Sequence, residues 1–129
     1  MILRHEDVKQ VAKSGVDEAA EALIGLSHRV HASPELCFEE EQASAWAAEM
    51  LTEHGFAVES GVADLPTAFV ATAGSGPLTL AICAEYDALP GIGHACGHNV
   101  ICAAGVGAGL ALAPLADELG ITVKVLGTP

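Results

Sequence analysis

At 129 residues the chain holds one domain, and a composition that is 51% hydrophobic but only 4% aromatic points to a globular core of Ala, Val, Leu and Ile. Seventeen acidic residues against five Lys and Arg give a formal charge of -12, which repels phosphate backbones and anionic bilayers and argues against nucleic-acid and membrane partners. The first residues, Met1-Ile2-Leu3-Arg4-His5-Glu6-Asp7, carry no leader-like apolar core, so the expected compartment is the cytoplasm, where four cysteines serve as core thiols or metal ligands rather than disulfides.

Residues 17–31 read as a helix with Ala20, Leu23, Ile24 and Ser27 on one face, ending before Ser33-Pro34. The second helix, over residues 38–54, is clearer: Ala43, Trp46, Ala47, Met50 and Leu51 recur with helical spacing, glutamates crowd its start and Gly55 supplies a left-handed cap. Strand-like runs follow at residues 56–58, 67–72 and 78–84, the last two joined by Gly74-Ser75-Gly76-Pro77, which predicts a hairpin. A helix rich in small residues is expected over residues 99–112, then a short turn at 116–120 and a final strand at 121–126. The apolar run from Val100 falls short of the roughly 20 residues a bilayer requires, so it reads as a buried helix. Cys37, Cys83 and Cys102 are expected in the core. The succession of strand, helix and apolar strand indicates an α/β class with a mixed, partly parallel sheet.

Chemistry concentrates between the third strand and the small-residue helix, in Glu85-Tyr86-Asp87-Ala88-Leu89-Pro90-Gly91-Ile92-Gly93-His94-Ala95-Cys96-Gly97-His98-Asn99. Cys96 and His98 are thiolate and imidazole donors two residues apart in a glycine-flanked loop, a pairing that suits zinc and similar ions but leaves a four-coordinate site unfilled. His94 reads as a hydrogen-bonding group or a third ligand. Asp87, at the strand mouth, either accepts the free ring N–H of a metal-bound imidazole or stabilises the turn before Leu89-Pro90. Asn99 is placed to cap the following helix, and Glu85 is expected to point to the opposite side from Tyr86.

Asp87-Ala88-Leu89-Pro90 followed by His94-Ala95-Cys96-Gly97-His98, with His31-Ala32-Ser33-Pro34-Glu35-Leu36 and Glu39-Glu40 upstream, resembles the dinuclear-metal peptidases and amidohydrolases. That family includes N-acyl-amino-acid amidohydrolases, hippurate hydrolases, indole-acetyl-amino-acid hydrolases and carboxypeptidase G. Ala84-Glu85-Tyr86-Asp87 and the ending Cys96-Gly97-His98-Asn99 look most like its aminobenzoyl-glutamate hydrolase and dipeptidase branch. The resemblance implies a three-layer α/β/α catalytic domain, truncated after the strand ending near Leu126, with an inserted lid or dimerisation domain absent. It implies two divalent ions (zinc, manganese or cobalt) in the complete site, with Cys96 as the bridging ligand, His98 as a second ligand, Asp87 supporting them and His94 behind them.

The implied activity is hydrolysis of an amide bond in an N-acyl-amino acid or dipeptide-like conjugate by metal-activated water. In the family a glutamate base follows the Gly-Thr-Pro at which this chain stops, so the 129 residues are expected to be an inactive portion whose last strand is an exposed apolar edge. Oligomers remain open without the dimerisation domain. The rival reading is a small non-catalytic protein that binds metal through Cys96 and His98 or acts through its surfaces.

Overall fold

An uninterrupted stretch of helix-tolerant residues makes α1 (His5–Ala32) twelve residues longer at its start than the sequence suggests, with Glu6 and Asp7 in its first turn and Arg29 in its last. No side chain caps its start, so nothing in the sequence marked that end. The computed structural model describes residues 4–129; residues 1–3, part of the stretch read for a leader, lie outside the described residues. The buried face of α1 is Leu23, Leu26 and Val30, and Ile24, expected inward, is exposed. Pro34 ends the helix as expected.

Helix α2 (Glu41–Glu53) begins three residues later than its periodicity implies because Phe38 adopts a left-handed backbone (φ 67) that no helix accommodates. Its N-terminus is capped from a distance: the amides of Gln42 and Ala43 donate to the two Glu35 carboxylate oxygens at 3.0 and 2.9 Å. Ala43, Ala47, Met50 and Leu51 are buried, as their spacing indicates, and the Arg29 guanidinium lies 5.2 Å from the Trp46 ring, tying α1 to α2.

Four strands, β1 (Ala57–Ser60), β2 (Phe69–Gly74), β3 (Leu78–Glu85) and β4 (Ile121–Thr128), form one mixed sheet in the order β1-β2-β4-β3. The α/β class and the partly parallel sheet therefore match expectation. The hairpin between β2 and β3 does not form: β4 lies between them, antiparallel to β2 and parallel to β3. Helix α3 (His98–Leu112) and the short α4 (Ala116–Leu119) make the crossover from β3 to β4. Consequently β4 is interior, with Ile121, Val123 and Val125 buried, and the exposed apolar edge belongs to β3, where Leu78 is 59% and Leu80 40% exposed.

Small residues let α3 lie close on the sheet. A Cβ at Gly109 would stand 2.5 Å from Val125 Cγ2, and one at Gly105 would stand 3.0 Å from the Cys83 carbonyl oxygen. The helical run His98–Leu119 is long and apolar enough to cross a membrane by length and composition, but most of it is buried in the fold, as befits a core helix.

Only Cys102 of the three expected core thiols is buried; Cys37 sits in the exposed loop before α2 and Cys83 on the β3 edge. Burial pushes the Cys102 thiol up to about 12, while desolvation and then the Glu40 and Asp87 carboxylates raise Cys37. Titration with a thiol-specific disulfide reagent at pH 7.5 is therefore expected to modify Cys83, Cys96 and Cys37 in the folded chain, Cys37 last. Cys102 should react only after denaturant is added, and a fourth thiol modified under native conditions would contradict its placement.

Candidate metal centre

The loop with the chemistry leaves the carboxyl end of β3 and returns as the first turn of α3, the position where parallel α/β units place ligands. Its base is pinned on one side by the chain between α1 and α2. The Ala88 amide donates to the Glu35 carbonyl at 2.7 Å, and Leu36 bridges Ala88 in parallel. Leu89 and Gly93 exchange backbone hydrogen bonds of 2.9 and 3.1 Å around Pro90-Gly91-Ile92. Gly97, in the left-handed region (φ 86), then turns the chain into α3, a conformation that a side chain would strain.

Behind the loop, Tyr86 is buried against Phe69, with ring centroids 6.2 Å apart, and its hydroxyl donates to the Thr67 carbonyl. Thr67 Oγ1 donates in turn to Oε2 of the fully buried Glu40 at 2.9 Å, and Glu40 Oε1 has no partner. This polar chain ties the end of β3 to the residues just before β2 and α2. It went unread in the sequence, where its members lie far apart.

His98 organises the open side of the loop. Its Nδ1 lies 2.7 Å from Asp87 Oδ1 and 3.0 Å from the Asp87 carbonyl oxygen, so it donates to Asp87 and leaves Nε2 free, the tautomer a metal-binding imidazole requires. Of the two roles open to Asp87, the carboxylate that orients the ring is the one its contacts describe. Glu85 was missed: its Oε2 lies 3.5 Å from His98 Nε2, so it faces the centre rather than standing idle. The signal was the two-residue period of a strand, which sets Glu85 opposite Tyr86 but on the same side as Asp87.

Cys96 is exposed on the same loop. His94 is buried, 7% exposed, and its ring centroid is 6.3 Å from that of His31. Burial, then the neighbouring His31 and His98, hold its pKa below the usual histidine range, against the Val30 backbone and Asp87, which act the other way. Asn99 does not cap α3. It lies buried within the first turn and its Nδ2 donates to Ser27 Oγ at 2.9 Å, joining α3 to α1.

Among the described residues no three His, Cys, Asp or Glu side chains converge on one point. The donor chemistry nevertheless suits a divalent ion in part: an imidazole oriented by a carboxylate, a second carboxylate beside its free nitrogen, and an exposed thiol.

No family model matches the chain. It is 39% identical over 138 aligned residues to an Xaa-Arg dipeptidase of Mus musculus, covering 96% of this chain and 32% of the relative. It is 31% identical over 137 to one of the polypeptides of the p-aminobenzoyl-glutamate hydrolase of Escherichia coli K12, covering 88% and 28%. A solved dinuclear-metal-binding peptidase of the M20 family from Bacillus subtilis superposes with a TM-score of 0.75 at 27% identity, over 91% of this chain and 36% of that one. The chain thus spans about a third of the length of the curated relatives it matches.

Proposed function

Because this chain is a homologue of the dinuclear-metal peptidases and amidohydrolases, we propose that it supplies the metal-binding loop of a hydrolase that releases an amino acid from an N-acyl-amino acid or dipeptide-like conjugate. The observation that carries the reading is the Asp87–His98 pair at the mouth of β3, with Nε2 left free and Cys96 two residues away. A divalent ion bound there supplies Lewis acidity, polarising the scissile carbonyl and lowering the pKa of water. His98 Nε2 and the Cys96 thiolate would hold it, while Asp87 keeps the His98 proton on Nδ1. Tyr86, next to Asp87, is buried and its hydroxyl donates to the Thr67 carbonyl, which anchors the start of the loop.

Asp87 is committed to the imidazole and Glu85 faces its free nitrogen, so among the described residues no carboxylate beside His98 stands free to take a proton from water. Residues 1–129 by themselves are therefore expected to hold metal without turnover. Cobalt(II) titration tests both halves of this reading. The wild type should develop a thiolate-to-cobalt absorption band that Cys96→Ser abolishes, and the loaded chain should leave a panel of acyl-amino acids and dipeptides intact. A band that survives Cys96→Ser removes Cys96 as ligand; turnover on the order of 1 s⁻¹ shows that a base has been recruited.

A further inference from the structure

Resting on the reading just given, we propose that Glu40 is a positioning residue for the Asp87–His98 pair: buried behind the loop, it fixes the Thr67–Tyr86 chain that sets where Asp87 meets the imidazole. Among the described residues Glu40 is the one buried acid, and it is 0% exposed. Burying a carboxylate costs free energy that packing alone would not ask for. Glu40 also forgoes the nearer use for its charge. It stands immediately before α2, where an anion would serve the open amides of the first turn, yet its side chain caps nothing there. The amides of Gln42 and Ala43 take the Glu35 carboxylate instead, and Glu40 turns inward to accept from Thr67 Oγ1 at 2.9 Å.

From Thr67 the chain reaches the site in two steps. The Thr67 carbonyl accepts from the Tyr86 hydroxyl, and Tyr86 is joined by a peptide bond to Asp87. His98 Nδ1 is held by two Asp87 atoms, the carboxylate oxygen at 2.7 Å and the main-chain oxygen at 3.0 Å, and the second of these sits wherever the backbone after Tyr86 places it. The Tyr86 ring itself has little room to swing. It stacks on Phe69, and a Cβ at Gly127 of β4 would stand 2.8 Å from its hydroxyl oxygen. Burial raises the Tyr86 phenol above its ordinary value, a hydrogen bond with Ser44 opposes the rise and the Glu40 carboxylate adds to it, so the hydroxyl remains a donor to Thr67.

The test follows the ring nitrogen shifts of His98 in the metal-free 129-residue chain, above the ordinary histidine range of pH, in wild type, Glu40→Leu, Glu40→Gln and Thr67→Val. The His98 signals are those that vanish in His98→Gln. Glu40→Leu removes the acceptor and Thr67→Val the donor, so each is expected to lower the ratio of the Nδ1–H to the Nε2–H tautomer by about tenfold, the scale of one hydrogen bond's net contribution. Glu40→Gln keeps an oxygen for Thr67 and should restore most of the wild-type ratio. Circular dichroism and urea midpoints are recorded for each variant. A folded Glu40→Leu with a lower midpoint but the wild-type tautomer ratio makes Glu40 a support of the fold only, and the proposal falls alone. If Glu40→Leu does not fold, the ratio in Thr67→Val decides, and failure of both to fold also overturns it. If wild type itself lacks the Nδ1–H tautomer, the metal-centre reading falls and takes this one with it.

Discussion

Gly76→Ala should lower the stability of the chain by about 3 kcal/mol or more, the upper end of what overpacking usually costs and a large share of the ~5–15 kcal/mol that holds a domain together. The connection between β2 and β3 passes directly over the start of β4, and a Cβ at Gly76 would stand only 2.0 Å from the carbonyl carbon and oxygen of Gly120. The obstacle is main chain, which has no rotamer to turn aside. The Thr122 hydroxyl also donates to the Gly76 carbonyl at 2.7 Å, clamping the two segments. Urea denaturation measures the loss. Gly25→Ala is the control: a Cβ there meets nothing within 4 Å inside α1, so the substitution should stabilise by roughly 0.5–1 kcal/mol through helix propensity. Equal midpoints for Gly76→Ala and wild type would mean that the crossing of β4 is not as tight as described.

Asp87→Asn is expected to reduce metal affinity roughly 10–100-fold, equivalent to about 1.4–2.8 kcal/mol. Asparagine keeps the size of the side chain but not its charge. The His98 ring then loses the anion that holds a proton on Nδ1, and the tautomer with hydrogen on Nε2, useless to an ion, becomes competitive. Total loss is not expected, because the Asp87 main-chain oxygen, 3.0 Å from Nδ1, still accepts that proton. Calorimetric zinc titration gives the affinity and nitrogen chemical shifts of the ring give the tautomer. If neither moves, Asp87 is a turn residue and the carboxylate does not tune the imidazole.

What the sequence made legible was local. The stripe on α2, the small-residue character of α3 and the positions of the strands follow from periodicity, which neighbouring residues set among themselves. Pairing was not legible, because Gly74-Ser75-Gly76-Pro77 has the composition of a hairpin turn, yet its glycines serve to clear β4. The same division runs through the site. Asp87 and His98 are marked by residue type and by the motif around them, whereas Glu40, Thr67 and Tyr86 meet across 27 and 19 positions with no pattern to announce it. Glu85 lay between these cases, since strand alternation put it beside Asp87 but only the folded loop brought His98 to it.

The interior place of β4 bears on the order in which this molecule can assemble during synthesis. Until residues 121–128 have left the ribosome, β1 can pair with β2, but β3 has no neighbour in the sheet and its Leu78 and Leu80 row lies open to water. Strands β2 and β3 therefore join one sheet only through β4, the last of the four strands described to be synthesised. Any change that weakens the seating of β4 thus acts on both halves of the sheet at once, stripping β3 of its one described neighbour and β2 of one of its two.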